Sequence, residues 1–114
     1  MRSPVRKPTP ILRLPVEVTN DSIRAVEAEA RALLGDHGTR LVVDLADTAF
    51  LGSAGLGLLV KVGKRLHDQG GAISLARPRP SVAKLLRAVG LETVLPSFSK
   101  LEAAMAHVEP PPAP

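Results

Sequence analysis

The chain has 114 residues, enough for one domain with a single hydrophobic core. Apolar residues make up 45% of it, which favours a folded domain over a disordered segment. With two Phe and no Trp or Tyr, it lacks the aromatic platforms on which unpaired bases stack, which weighs against binding of single-stranded nucleic acid. The absence of Cys excludes a disulfide framework, a thiolate metal site and a cysteine nucleophile.

Most of the formal net charge of +4 lies at the N-terminus. The first 13 residues hold Arg2, Arg6, Lys7 and Arg13 and no acidic side chain, whereas from residue 14 onward 11 Lys and Arg balance 11 Asp and Glu. A DNA-binding domain normally carries its basic patch on the folded part. We therefore interpret the basic end as a solvated arm and predict no direct nucleic-acid partner.

Both ends of the chain have the composition of extended segments. Residues 1–10 hold three prolines and three basic residues, which predict a flexible basic arm, and residues 109–114 predict a Pro-rich tail. Residues 11–108 then form one domain. No signal-peptide pattern and no run of about 18 apolar residues is present, which predicts a cytoplasmic protein without a membrane span.

The first elements of the domain follow from hydrophobic periodicity. Apolar residues over 11–18 predict one strand or a broken pair of strands, with Pro15 favouring an edge position. Ser22, the last of three polar residues suited to capping, precedes a helix that Gly35 ends. The apolar run 41–46 is typical of a strand that is buried on both faces.

The later elements continue the same alternation. They are a helix over 54–68, a strand over 72–76, a helix over about 82–89, a short strand over 91–95 and a helix ending near 107. Ser53 and Ser81 stand where N-cap residues are expected, and Ser99 with Glu102 has the spacing of a capping box. Strands alternating with helices predict an α/β domain with at least one parallel strand pair.

In parallel sheets, functional sites lie beyond the C-terminal ends of the strands, which points to the loop 46–53. A Ser at a helix start is often only a cap, but a phosphate there would meet free N–H groups and the positive end of the helix dipole. Gly55, Gly57 and Gly63 each weaken a helix by about 1 kcal/mol relative to Ala, so they indicate close approach of the sheet or of a partner. Ser53 is therefore the candidate modification site.

Enzyme motifs nearly fit this segment and fail. A nucleophile elbow needs a glycine where Leu51 stands, and His37, His67 and His107 fall near polar helix ends, as surface residues do. Asp44 is better suited to capping its following loop than to acting as a base, and no metal-ligand cluster accompanies it. The P-loop and dinucleotide-binding fingerprints are incomplete. We predict neither an enzyme nor a cofactor or metal site.

From roughly Leu12 to Val108 the sequence resembles the STAS domain family. The likeness is strongest in the apolar strand that ends in Asp-Leu, in the segment Phe50 to Gly57 (FLGSAGLG), in the Gly-Gly pair with the strand that follows it, and in the segment Leu85 to Leu91. This resemblance implies a small mixed sheet of four to five strands with about four helices packed on it.

In the anti-sigma factor antagonist branch of that family, the residue matching Ser53 is phosphorylated by a kinase that is also the anti-sigma factor. The unphosphorylated antagonist binds that kinase and frees the sigma factor, and a phosphatase resets the antagonist. The resemblance implies that Ser53 is the phosphoacceptor and that Gly52, Ala54, Gly55 and Leu56 contact the partner. The predicted molecule is a monomer or a weak dimer.

Two alternatives stay open. Gly52 stands where most antagonists carry Asp, which supports a non-phosphorylated STAS scaffold or an accessory subunit of a signalling assembly or a lipid transporter. A hydrolase that uses Ser53 is the alternative from another class.

Overall fold

The alternation of strands and helices is present in the computed structural model, which describes residues 8–109. The elements in chain order are β1 (Ile11–Arg13), β2 (Glu17–Val18), α1 (Ile23–Leu34), β3 (Arg40–Asp44), β4 (Phe50–Leu51), α2 (Ser53–Asp68), β5 (Ala72–Ala76), α3 (Pro80–Ala88), β6 (Ser97–Phe98) and α4 (Leu101–Val108). Most of the predicted N-terminal arm and all but the first residue of the predicted tail lie outside the described residues.

The main sheet has four strands in the order β1-β3-β5-β6, and β2 and β4 form a separate two-stranded ribbon. Leu41 of β3 pairs with Ile73 of β5 at the centre of the sheet. The predicted α/β class is confirmed, with four helices. Every strand pair within residues 8–109 is parallel, so the sheet is parallel rather than mixed. The reason is that a helix returns the chain between sequential strands of the main sheet.

The two central strands bury both of their faces. Leu41 and Val43 pack into a core with the apolar sides of α1, α2 and α3, whereas Val42 points the other way, into a second core with α4. On that second face the Ser74 hydroxyl donates to the Ala104 carbonyl at 2.7 Å. Helices therefore cover both sides of the sheet, which leaves its strand-end edges for function.

The ends of several elements differ from the sequence predictions. The 11–18 segment is a broken pair, because exposed Pro15 separates β1 from β2. The predicted strand over 91–95 is wrong: the Leu95 N–H donates to the Leu91 carbonyl at 2.8 Å, so the backbone turns back on itself. The strand of this region is β6, which begins only at Ser97.

The predicted N-caps of the last two helices are also wrong. Ser81 is the second residue of α3, because Pro80 has the fixed φ that suits the first helical position and Arg79 is the N-cap. Ser99 lies one residue too early, and Lys100 is the N-cap of α4 with no side-chain cap hydrogen bond. Within residues 8–109, every helix lacks either the length or the apolar content that crossing a bilayer requires.

Candidate functional site

The helix α2 begins at the C-terminal edge of the sheet, where the sequence places the functional loop. After β3 the chain turns at buried Thr48, whose N–H donates to the Leu45 carbonyl at 3.0 Å and whose hydroxyl donates to the Leu14 carbonyl at 3.3 Å. The chain then forms β4, which pairs with β2 in parallel. The Gly52 N–H donates to the Val18 carbonyl at 2.9 Å, so the backbone stays extended until the helix starts.

Ser53 is the first residue of α2 and is exposed. The N-cap is Gly52, with φ −78° and ψ 174°, and its carbonyl accepts the first helical bond from the Leu56 N–H at 3.0 Å. The prediction that Ser53 is the N-cap is therefore wrong by one residue, because the bond to β2 holds residue 52 in the extended conformation. Ser53 is thus not the capping residue, and its exposed side chain can be reached from solvent.

The backbone at this helix start is equipped for an anion. The N–H groups of Ser53, Ala54 and Gly55 donate to no acceptor within residues 8–109, and the first turn of α2 has no acidic side chain. Unpaired N–H groups and the helix dipole together favour a negative group at this position. A phosphate on the Ser53 hydroxyl would lie beside these donors.

The three glycines of α2 have different surroundings. A Cβ on Gly55 would lie 2.7 Å from both Leu51 Cδ1 and Val18 Cγ1, so only glycine lets the β2–β4 ribbon pack this closely on the helix. A Cβ on Gly63 would approach the Ile73 side chain to 3.2 Å, whereas one on Gly57 would meet nothing within 4 Å. Close approach is thus confirmed for Gly55 and Gly63 but not for Gly57.

The residues predicted to form the contact surface are not all at the surface. Ser53 is exposed, and Gly52, Ala54 and Leu56 are partly buried. Gly55 is buried under the ribbon, so it supports the surface without being part of it.

Two exposed apolar side chains of the ribbon region were missed by the sequence analysis, and one of them, Phe50, lies next to Gly52. Val16 is 58% exposed and Phe50 is 53% exposed. Both belong to the ribbon region, where the Val16 carbonyl accepts from the N–H groups of Ala49 and Phe50 at 2.8 and 3.1 Å. The signal that could have found Phe50 is its place one residue before Leu51, which turns inward, since neighbouring strand residues face opposite ways.

Asp44, also at this edge, has a structural role. Its Oδ1 accepts from the Ala46 N–H at 3.1 Å, which confirms the predicted loop cap, and from Arg77 Nε at 3.3 Å. Burial opposes ionisation of Asp44, but the hydrogen bonds from Arg77 and Ala46, with the charges of Arg77 and Arg13, lower its pKa below the ordinary value. The same pair raises the pKa of Arg77. Arg77 has a φ of +54°, an unfavourable backbone conformation held next to this ion pair.

The three histidines are surface residues. His37, His67 and His107 are exposed, as predicted, and the His107 ring lies 5.1 Å from that of Phe98 between centroids. Among residues 8–109, no group of three His, Asp or Glu side chains is arranged to hold a metal ion.

Comparison with known proteins agrees with this architecture. Residues 5–97 match the family model described as "Mlab, STAS domain". BtrV of Bordetella bronchiseptica, named as an anti-sigma factor antagonist, is 29% identical over 89 residues, which cover 78% of this chain and 77% of BtrV.

Solved structures show the same fold. An anti-sigma factor antagonist from Thermotoga maritima superposes with a TM-score of 0.76 at 19% identity, covering 86% of each chain. The Bacillus protein SpoIIAA in its unphosphorylated form superposes with a TM-score of 0.70 at 20% identity, covering 88% of this chain and 89% of SpoIIAA. These likenesses establish the architecture, and the family model spans most of the domain. The chain belongs to the STAS domain family.

Proposed function

We propose that this protein is an anti-sigma factor antagonist that acts in the cytoplasm as a phosphorylation-controlled partner switch. Its unphosphorylated surface, formed by Gly52, Ser53, Ala54 and Leu56 over the buried Gly55, binds an anti-sigma factor serine kinase and thereby frees a sigma factor. Phosphorylation of Ser53 by that kinase ends the binding, and a phosphatase restores it. The observation that carries the proposal is the exposed Ser53 side chain beside three backbone N–H groups that donate to no acceptor among residues 8–109.

The same site suits both states of the serine. In the neutral state a partner can pack closely on a small hydroxyl flanked by glycine and alanine. A phosphate adds about −1.5 to −2 charges and three acceptor oxygens, which the helix start can accommodate within this protein. In a desolvated interface that charge opposes binding, and a full reversal of a two-state population takes about 5 kcal/mol.

The similar proteins support this reading. BtrV is named as an anti-sigma factor antagonist, and SpoIIAA has been solved in unphosphorylated and phosphorylated forms. The action we propose is binding, with the kinase and the phosphatase supplying the chemistry.

The test uses purified anti-sigma factor serine kinases encoded in the same genome, taken one at a time. We expect one of them to bind the wild-type protein and, with ATP, to phosphorylate it at Ser53 as located by mass spectrometry. Ser53 is exposed and is not the N-cap of α2, so we expect Ser53→Ala to bind within a few-fold of wild type without being phosphorylated. Ser53→Asp should bind about a hundredfold more weakly, since a charge enters the contact.

Ser81→Asp is the matched control, because Ser81 is likewise exposed in the first turn of a helix but lies on α3. It should bind as wild type does. Equal binding by Ser53→Ala and Ser53→Asp would overturn the switch.

One observation favours a second candidate, a STAS scaffold or accessory subunit without phosphorylation. Gly52 supplies no carboxylate next to Ser53, and a kinase that requires an acid at that position would not modify this protein. Binding of one partner that is insensitive to Ser53→Asp, with no phosphate on Ser53 in cells, would establish the scaffold in place of the switch.

A further inference from the structure

We infer that the exposed cations of α2 and of residues 77–87 form a basic docking surface, the α2–α3 face, for an acidic surface of the protein that binds at Ser53. This inference rests on the proposed function. It adds the charge of the partner and a specificity-determining surface outside the residues around the phosphoacceptor.

The charges of the domain are divided unevenly along the chain. Residues 53–91 hold seven Lys or Arg and a single acidic residue, Asp68. The rest of residues 8–109 holds five Lys or Arg and ten Asp or Glu. The near-balance of charge over the whole domain therefore conceals a positive segment and a negative remainder.

The fold places the cations of this segment on one side of the molecule. The helices α1, α2 and α3 pack their apolar sides into the same core, so the outward faces of α2 and α3 look to the same side of the sheet. All seven cations are exposed. Arg77 is paired with Asp44, and Lys61 is paired with Glu27 at 3.5 Å between Nζ and Oε2. The other five make no ion pair with a carboxylate of residues 8–109; they are Lys64, Arg65, Arg79, Lys84 and Arg87.

An exposed helix ordinarily carries charges of both signs, and α1 does so. It holds two cations and two acids, and Arg31 Nη2 lies 3.9 Å from Glu27 Oε1 across one helical turn. Such pairs stabilise a helix, yet α3 carries Lys84 and Arg87 with no acid to pair with them. A field of one sign attracts a partner of the opposite sign and speeds its association. The pattern therefore favours binding of an acidic partner over a solvated surface without a partner.

The α2–α3 face continues the surface around Ser53. Because residues three and four apart share one side of a helix, the exposed residues Ser53, Gly57, Lys61 and Lys64 follow one another along α2. A Cβ on Gly57 would meet nothing within 4 Å, so the surface between Ser53 and Lys61 is open. At the rise of an α-helix, Lys61 lies about 12 Å along the axis from Ser53 and Lys64 about 17 Å. An interface of standard size is about 28 Å across on each partner, so a contact that extends from Ser53 along α2 reaches both cations.

An acidic protein surface fits this face better than a nucleic acid does. Residues 53–91 hold no Phe, Trp or Tyr on which an unpaired base could stack. The N-terminal half of α2 presents Ser, Ala, Gly, Leu and Val, and none of the Arg, Asn or Gln side chains that read base edges in the major groove. The face thus offers positive charge next to a helix start with small side chains, which a protein surface can cover.

The experiment measures the association rate constant of the phosphorylating kinase with charge-reversal variants. Lys64→Glu on α2 and Lys84→Glu on α3 should each lower this constant about fivefold in 0.1 M NaCl, with the dissociation rate constant changed less than about twofold, since charges at the rim of an interface act on the approach of the partner. In 1 M NaCl the screening length falls from about 10 Å to about 3 Å, and the variants should associate as wild type does.

Lys100→Glu is the matched control. It makes the same change in net charge at an exposed residue, but Lys100 is the N-cap of α4, which packs on the other side of the sheet. It should lower the association rate constant less than about twofold. Thermal unfolding should show little change in any of the three variants, because all three residues are exposed.

The outcomes separate the two claims. If no kinase binds the wild-type protein, the proposed function fails and the basic docking surface fails with it. If a kinase binds the wild-type protein and Ser53→Asp weakens that complex, but Lys64→Glu and Lys84→Glu associate as Lys100→Glu does, only the docking surface is overturned.

A short, labelled DNA duplex is the second probe. We expect the wild-type protein to bind it in 0.1 M NaCl with a Kd no lower than about 100 μM, the weak end of non-specific binding. Tighter duplex binding that Lys84→Glu weakens, together with an unchanged association rate of the kinase, would assign the face to nucleic acid and overturn the inference.

Discussion

Asp44 and the start of α2 both lie where parallel strands end, yet their polar groups are satisfied in opposite ways. The Asp44 carboxylate is buried and accepts bonds from Arg77 and from the Ala46 N–H. At the start of α2, three N–H groups donate to no acceptor within residues 8–109, and the Ser53 hydroxyl is exposed. The Asp44 carboxylate is paired and stabilises the fold, whereas the N–H groups at the start of α2 are left for an anion or a partner to bind.

This difference indicates which polar residues at the C-terminal edge of an α/β sheet can be assigned to function. A charged residue that is fully paired has little left to offer a ligand, however conspicuous it is in the sequence. An uncapped helix start has the reverse property, because its donors stay in water until an anion or a partner displaces that water. Function is therefore expected at Ser53 and stability at Asp44.

Asp44→Ala is the variant that tests this contrast with the largest expected effect on stability. The variant removes a buried carboxylate that accepts from the Ala46 N–H and from the exposed Arg77 guanidinium, so we expect a loss of about 2 kcal/mol and a fall in Tm of about 10 °C. Exposed Asp47 offers the control, since Asp47→Ala should change stability by less than about 0.5 kcal/mol. Below its own Tm, Asp44→Ala should bind the kinase as wild type does, and a binding defect without unfolding would break the contrast.

The stability that the Asp44 carboxylate contributes should change with pH in a definite direction. The folded state lowers the pKa of Asp44 below its ordinary value of 3.8, so the ionised carboxylate contributes stability above that pH. The contribution disappears as the pH falls through the folded-state pKa. The difference in stability between wild type and Asp44→Asn should therefore be constant from about pH 5 to 7 and shrink below about pH 4. A difference that grows on acidification would contradict the assignment.

A smaller effect separates the two glycines near the start of α2. In Gly55→Ala the new methyl would lie 2.7 Å from two buried side-chain carbons, so we expect a loss of about 1–2 kcal/mol as the ribbon shifts. Gly57→Ala meets nothing within 4 Å and should stabilise the helix by about 0.5–1 kcal/mol. Urea unfolding measures both. Equal changes in the two variants would mean that the ribbon does not pack on Gly55 as described.

The central strands of the main sheet are well predicted from the sequence. β3 and β5 are apolar runs, and such runs can be recognised as strands without knowing what they pair with. Gly35 and Gly90, both with positive φ, likewise mark helix ends that local chemistry decides. The helix starts are less predictable. Ser53 and Ser81 each have a good capping side chain, but bonds made elsewhere in the chain or the fixed φ of a proline decide which residue is the N-cap.

The features that sequence reasoning missed depend on contacts between distant residues. Asp44 and Arg77 are 33 residues apart in the sequence, and no local pattern predicts that they pair. The outward direction of Phe50 depends on the pairing of β4 with β2, which brings residues 17 and 50 together. The proposal of Ser53 itself needs only local reasoning, since a serine followed by glycines at a strand end is a short-range pattern.

The smallest effect concerns the open helix start alone. Ser53→Asp places a carboxylate beside the unpaired N–H groups, so we expect it to stabilise the protein by about 0.3–1 kcal/mol relative to Ser53→Asn, which has the same shape without the charge. The difference should fade in 1 M NaCl, where the screening length falls to about 3 Å. If Ser53→Asp is instead less stable than Ser53→Asn at low salt, this helix start does not favour an anion. A phosphate on Ser53 would then have to be tolerated by means other than the helix, and the contrast with the closed Asp44 site would lose its electrostatic basis.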